Sequence, residues 1–109
     1  MSLWEERAAR NEAVFREVNE QIEALEEQFS VTDEDPVFIC ECSDENCTER
    51  ISLPLDAYES LRGNPRHFVI LPGHETEIEE VVERHATYFV VEKQGRAGHI
   101  ADDTDPRAS

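Results

Sequence analysis

The chain has 109 residues, of which 39% are hydrophobic, 33% charged and 7% aromatic, so it has room for one domain with a small core. Its formal net charge of −16 makes nucleic acid an unfavourable ligand, because a phosphate backbone would be repelled. The first residues, MSLWEERAAR, are charged and include no apolar run of the length that a signal peptide or membrane span needs, so we expect a cytoplasmic protein that does not contact membranes.

An apolar pattern predicts a long helix at the start of the chain, within residues 1–30. The pattern advances by alternating steps of four and three residues, through Trp4, Ala8, Asn11, Phe15, Val18, Ile22, Leu25 and Phe29. No Gly or Pro interrupts it. We favour a coiled-coil homodimer through residues 4–29, in which Arg7 and Glu12 flank a parallel seam. The alternative is an amphipathic helix that packs on a sheet of its own domain.

Short segments of β character follow a polar hinge at 31–36 and predict a β-rich module over 37–94. We expect strands at 37–42, 50–53 and 67–71. The fold class is therefore α+β: a long N-terminal heptad helix followed by a small zinc-stabilised antiparallel β module with one short helix.

The short helix is expected at 57–62. Asp56 and Glu59 have the spacing of a capping box, and Gly63 stands where a C-terminal cap belongs.

The segment 76–93 fits either a helix or a β-hairpin that turns near 85–87, and we favour the hairpin because β-branched residues are frequent in it. Residues 95–109 are rich in Gly, Asp and Pro and predict a mobile tail, with Ile100 held against the domain.

Three cysteines, the only ones in the chain, lie in the stretch FICECSDENCTERI at 38–51. On a strand, Cys40 and Cys42 point to the same side, and the polar loop after them can return the chain so that Cys47 approaches both. In a reducing cytoplasm, clustered thiols indicate metal ligands before they indicate a disulfide. Zinc takes four ligands in a tetrahedron, so the cysteines leave one position open.

His74 is the best candidate for this fourth position, because the Pro-Gly turn before it can place an imidazole at a strand end. His67, at the start of the same strand, is the rival, and Asp44 or Glu45 could supply an oxygen instead. We therefore predict a zinc site formed by Cys40, Cys42, Cys47 and His74. Two other interpretations of the cysteines stay open: reduced buried thiols without a metal, and a redox-active pair.

Several short motifs occur in a fixed order: F-x-C-E-C, a cysteine five residues on, I-x-L-x-L, Y-E-x-x-R, F-V-x-x-P-G-H and V-V-E-K. This order resembles a family of small uncharacterised bacterial proteins over roughly residues 11–107. The resemblance implies one coherent module whose shared polar landmarks are Cys40, Cys42, Cys47 and His74. That family has no established activity, so the resemblance implies no reaction.

The sequence contains no recognised catalytic motif, since it lacks H-E-x-x-H, G-x-S-x-G and a Gly-rich phosphate loop. We therefore predict a non-enzymatic, zinc-stabilised protein-protein interaction or regulatory module whose acidic surface binds an unknown basic protein. A thiol/zinc redox sensor is the alternative. A further alternative is a zinc hydrolase with Glu75 or Glu41 as general base.

Overall fold

The structure is a computed structural model that describes residues 3–29, 35–44, 46–47, 49–77 and 79–107. These residues contain one long helix, five short strands and two short helices. In chain order the elements are α1 (Leu3–Phe29), β1 (Val37–Ile39), β2 (Arg50–Ser52), α2 (Leu55–Leu61), β3 (His67–Ile70), β4 (Glu79–Arg84), β5 (Phe89–Lys93) and α3 (Gly95–Asp103). The predicted α+β class is confirmed. Most of the predicted hinge, residues 31–34, lies outside the described residues.

The strands form two small antiparallel sheets. In the first, β1 pairs with β2 so that Phe38 lies opposite Ile51. In the second, β5 is the central strand between β3 and β4. The register between β4 and β5 shifts between Val81 and Glu83, which indicates a bulge in the outer strand.

The hairpin predicted within 76–93 is confirmed. Strands β4 and β5 pair with each other, and the backbone N–H of His85 donates to the oxygen of Tyr88 across the turn at 2.9 Å. The rings of these two residues stack with centroids 4.3 Å apart. Ile78, on the apolar face of the alternative helix, lies outside the described residues.

The predicted capping box at the start of the short helix is wrong. Helix α2 begins at Leu55, with Pro54 in the N-cap position and no side-chain cap, so Asp56 lies inside the first turn. The φ of Pro54 is −58°, close to the value that its ring imposes, and proline has no N–H that would need a partner at a helix start. The C-cap is Arg62, one residue before Gly63.

The prediction of a tail without regular structure at 95–109 is also wrong, because residues 95–103 form helix α3. This helix packs against α1 through small side chains, with Ala8, Ala9, Ala97 and Ile100 forming one buried cluster. Small residues allow close approach of two helices, and the sequence reads as a tail because its apolar content is low. The predicted burial of Ile100 is confirmed.

The main core lies between the two sheets and α2. The rings of Phe38 from β1 and Tyr58 from α2 stack there with centroids 4.4 Å apart. Cys40 and Cys42 belong to the same buried cluster as these rings. The cysteine segment is therefore part of the core and not a surface loop.

Helix α1 packs on the domain with a polar face. Its side chains Glu12, Arg16, Asn19 and Glu23 are buried. The carboxylate of Glu12 forms an ion pair with Lys93 of β5, and the Arg16 guanidinium lies 4.5 Å from the centre of the Phe68 ring and donates to the carbonyl of Ala101. Such ion pairs and hydrogen bonds inside the domain offset part of the cost of burying these charged and polar groups.

The predicted seam of α1 is divided between two sides of the helix. Ala8 and Ile22 contact the rest of the chain, whereas Trp4, Val18 and Leu25 are exposed. The side chain of Phe29 lies outside the described residues. A parallel seam flanked by Arg7 and Glu12 is wrong, because Glu12 is buried against Lys93. Whether α1 also pairs with a second copy stays a prediction.

Candidate metal centre

Three thiols and one imidazole converge at the edge of the core. Each of Cys40, Cys42, Cys47 and His74 offers one ligand atom, and these four atoms all lie within 4.8 Å of one another. Nδ1 of His74 is 3.5 Å from Sγ of Cys40 and 3.8 Å from Sγ of Cys47. The predicted site residues are thus brought together, with the metal-binding role itself still a prediction.

The backbone around Cys40 and Cys42 is fixed by both sheets. The N–H of Cys40 donates to the oxygen of Glu49 at 3.0 Å, and the N–H of Glu41 donates to the oxygen of Val69 at 2.8 Å. The segment is extended but lies beyond the end of β1, which stops at Ile39. It therefore bridges the first sheet and β3, which holds two thiols on one side of a rigid backbone.

Cys47 is returned to the other two thiols by a tight turn. Its N–H donates to the oxygen of Asp44 at 3.0 Å, and the carboxylate of Asp44 accepts the N–H of Asn46 at 2.9 Å. This is the use expected of an Asp that starts a turn. Asp44 thus serves the turn and is not among the converging groups, and Glu45 lies outside the described residues.

His74 is placed by the predicted Pro-Gly turn. The N–H of His74 donates to the oxygen of Leu71 at 3.1 Å, and Gly73 between them has a φ of 91°, a value that favours glycine. The N–H of Leu71 itself donates to Sγ of Cys40 at 3.3 Å. The rival His67 lies at the other end of β3, where Nε2 is 3.0 Å from Glu92, so it is not part of the group.

Hydrogen bonding among the thiols sets their ionisation. The hydrogen bond with Cys40 lowers the pKa of Cys42 to about 5, and the same bond, together with burial, raises the pKa of Cys40. Burial raises the pKa of Cys47. The thiolate form is thus favoured at Cys42, and a bound cation would favour the deprotonated form of all three thiols.

Helix α1 supports the cysteine segment through a side chain that sequence analysis missed. The Asn19 amide accepts from the N–H of Ile39 and donates to the oxygen of Ile39, both at 2.8 Å. It also donates to the carboxylate of Glu41 at 2.8 Å. Nearer the start of α1, the side chain of Asn11 donates to the backbone oxygen of Ser43 at 3.2 Å. Asparagine has a poor helix propensity, so two asparagines inside a long helix are the sequence signal that could have indicated these contacts.

Glu41 lies between the two cysteines but faces away from the thiols. Its carboxylate is fully buried and accepts hydrogen bonds from Asn19, from the hydroxyl of Tyr58 at 2.9 Å and from the N–H of Val69 at 2.9 Å. Burial raises the pKa of Glu41, and these donors oppose the shift. Glu41 therefore holds neighbouring elements together through hydrogen bonds, and its burial away from the thiols makes it unsuited to the role of general base.

The other residue considered as a base, Glu75, is exposed. Its carboxylate accepts the N–H of Gly73 at 2.9 Å and so contributes to the turn before His74. Of the two candidate bases of the hydrolase alternative, Glu41 is therefore buried away from the thiols, and Glu75 is hydrogen-bonded to the turn before His74.

A cleft of about 290 Å³ gives access to the site from solvent. It is lined by Cys42, Ser43, Asp44, Gly73, His74 and Thr76. A metal ion or a small oxidant can reach the thiols by this route.

The geometry fits a tetrahedral ion. With metal–sulfur and metal–nitrogen distances of about 2.3 and 2.05 Å, a tetrahedron places sulfur and nitrogen about 3.6 Å apart. The two distances from His74 Nδ1 to the sulfurs of Cys40 and Cys47 are 3.5 and 3.8 Å. The four residues could therefore hold a metal ion.

Comparison with known proteins gives this chain no relative from which a function could be transferred. A comparison of the chain with protein-family models, with curated proteins and with solved structures found no match.

Among the residues that the structure describes, no helix combines the length and apolar character needed to cross a membrane.

Proposed function

We propose that the chain is a non-enzymatic, zinc-stabilised interaction module, with zinc bound by Cys40, Cys42, Cys47 and His74. The observation that carries this proposal is the approach of three sulfurs and one imidazole nitrogen to within 4.8 Å of one another. Soft thiolate ligands favour zinc over magnesium or calcium, which prefer oxygen. Four protein ligands fill a tetrahedral shell, so the role of the ion is structural.

The position of the site supports a structural role. The cysteine segment contacts β3 through Glu41 and contacts α1 through Asn19, while His74 follows β3. An ion bound there would fasten the first sheet to the second. In a chain of 109 residues with a small core, a structural zinc site worth about 10 to 16 kcal/mol in small peptides would be a large part of the folding free energy.

The experiment that tests this is a measurement of metal content on the purified full chain by native mass spectrometry. We expect one zinc ion per chain, and loss of that ion in Cys47→Ser and His74→Ala. His67→Ala is the matched control, because it removes an imidazole of the same strand region that binds Glu92 instead. Metal-free protein that is folded, or retention of zinc by His74→Ala and loss by His67→Ala, would contradict the assignment.

The acidic surface supports a basic protein as partner. Near the metal centre, one stretch of chain leading into and along the outer strand β4 exposes Glu75, Glu77, Glu80 and Glu83. In a chain of net charge −16, this stretch combines high negative charge with a strand edge that no other described strand covers. We place the basic partner there, in the cytoplasm.

An oligoarginine peptide is a suitable probe for this surface. We expect its affinity to fall as salt rises, and to fall further in a Glu80→Gln, Glu83→Gln double variant. The matched control is Glu27→Gln with Asp56→Asn, which removes the same charge from exposed positions on α1 and α2. Equal binding by the two double variants would refute the location, and binding that is independent of salt would refute the electrostatic basis.

Redox sensing is the second candidate, and the cleft beside Cys42 and His74 is the observation that favours it. Hydrogen peroxide would oxidise one thiolate to a sulfenic acid, with its second oxygen leaving as water. A second thiol would then displace that hydroxyl as water, so that two thiols and one peroxide yield one disulfide and two waters. Loss of two ligands would release the zinc.

A zinc-sensitive dye reports this reaction directly. We expect release of zinc on addition of peroxide and its return after reduction. Retention of zinc at millimolar peroxide would eliminate the sensor and leave the structural role intact.

A further inference from the structure

The outward side of α1 carries an apolar stripe that the described part of the chain leaves uncovered. Its members are 41 to 65% exposed: Leu3, Trp4, Val14, Val18 and Leu25. At 100° per residue they lie opposite the buried polar face of the same helix. The buried face of α1 is thus largely polar while its outward side exposes these five apolar side chains, so packing within the domain does not explain the stripe.

We propose that this stripe, from Leu3 to Leu25, pairs antiparallel with the same stripe of a second copy, about a two-fold axis at Val14. This inference goes beyond the metal site and does not depend on it. In that register Leu3 of one helix lies opposite Leu25 of its partner, and the two Val14 side chains meet.

The charges on the helix select this orientation. Arg7 lies in the middle of the stripe, and a parallel pair would set the two Arg7 side chains at one level. The antiparallel pair sets Arg7 opposite Gln21 instead. On one flank of the stripe Arg10 precedes Val14 and Glu17 follows it, so a two-fold axis there places each Arg10 beside the partner's Glu17.

A cleft at the same level provides room for the partner. Its volume is about 480 Å³, and its lining comprises Arg10, Ala13, Val14, Glu17, Val18 and Thr104. The cleft therefore coincides with the proposed axis, where the partner's Val14 would enter. Arg10 is 61% exposed and its pair with Glu6, at 3.5 Å, is a surface pair that costs little to exchange.

The size of the stripe sets the expected strength. From Leu3 to Leu25 it is about 33 Å long and about 10 Å wide, so a symmetric pair would bury roughly 660 Å² in total, which is below the range of stable specific interfaces and within that of weak ones. We therefore expect a dimer that dissociates on dilution, with a dissociation constant on the order of micromolar.

Sedimentation velocity of the full chain over a dilution series, with the metal content of each sample measured, tests the proposal. We expect Val14→Glu to raise the dimer dissociation constant at least about tenfold, because it places two carboxylates at the axis. Val82→Glu is the matched control, since Val82 is also an exposed apolar residue, on β4, and we expect it to dimerise like the parent. Both variants should keep the parent's circular dichroism.

Charge reversal tests the orientation. Arg10→Glu and Glu17→Arg should each weaken the dimer, and the double variant should restore it, because the antiparallel pair exchanges the two charges. A parent chain that stays monomeric at about 100 μM, well above a micromolar constant, would overturn the proposal and leave the stripe for a different protein. A dimer insensitive to Val14→Glu, or a double variant without recovery, would overturn the interface or its orientation. Metal content measured in the same samples keeps this result separate from the zinc assignment.

Discussion

Replacing Asn19 by alanine should separate α1 from the cysteine segment. The amide makes three hydrogen bonds of 2.8 Å, two to the backbone of Ile39 and one to the carboxylate of Glu41. Asn19 is fully buried, so water cannot replace these bonds without opening the structure. Alanine leaves the N–H and the carbonyl of Ile39 without this partner, and a penalty of about 1 to 3 kcal/mol for each of the two groups gives a loss of about 2 to 6 kcal/mol.

This loss should be visible in urea unfolding of the zinc-loaded chain, measured by circular dichroism. A single domain is stable by about 5 to 15 kcal/mol, so the variant should still fold but with a clearly lower midpoint. Because Ile39 directly precedes Cys40, we also expect zinc affinity to fall by about tenfold or more in competition with a chromophoric chelator.

Gln21→Ala is the control for Asn19→Ala. It removes an amide of nearly the same size from the exposed side of the same helix, and should change stability by less than about 0.5 kcal/mol. If Asn19→Ala loses no more stability than Gln21→Ala, α1 does not hold the cysteine segment and the account of Asn19 fails.

Three further predictions concern charge, turn geometry and pH. Lys93→Met leaves the buried carboxylates of Glu12 and Glu79 without their cation, and should lower the free energy of unfolding by about 3 to 5 kcal/mol at pH 8 in a urea titration. In the parent, burial raises the pKa of Glu79 to about 7, and removal of the neighbouring ammonium should raise this pKa further in the variant. As the pH falls from 8 to about 7, the folded variant therefore takes up more of a proton than the folded parent, and the loss should shrink; an unchanged loss would contradict the burial argument. Gly73→Ala places a β-carbon on a backbone with φ of 91°, so we expect it to lower the free energy of unfolding, measured by thermal unfolding, by about 1 to 2 kcal/mol. The variant should also bind zinc more weakly, because the altered turn displaces His74. Unaltered zinc affinity would show that the turn does not position the ligand. Zinc affinity should fall as the pH is lowered from about 8 to 6, because protons compete for the thiolates and the imidazole, and a flat profile in chelator competition would exclude thiolate ligands.

The sequence was informative where a pattern depends on a few neighbouring residues. The convergence of Cys40 and Cys42 follows from the two-residue period of an extended chain, and the Pro-Gly turn before His74 acts within four residues. The hairpin at 76–93 followed from β-branched residues on both sides of a turn. Each of these depends on local geometry that the side chains themselves impose.

Interactions between distant parts of the chain could not be predicted in the same way. The buried face of α1 is largely polar, so its apolar periodicity predicts a single seam that the structure divides between two sides of the helix. Its burial depends on partners such as Lys93 and Glu41, which lie far away in sequence. Helix α3 was missed because it is held by contacts of Ala97 and Ile100 with α1 and has little propensity of its own.

The contact between α1 and α3 joins the first and last described elements of the chain, and this affects folding during synthesis. Arg16 finds the carbonyl of Ala101 only after the ribosome has added 85 more residues. Until then the inner face of α1 remains hydrated, which its charges permit, whereas its apolar stripe is already complete and faces other nascent chains. If α1 pairs as proposed above, assembly of neighbouring copies on one polysome precedes closure of the domain, at the risk of aggregation when α3 is delayed.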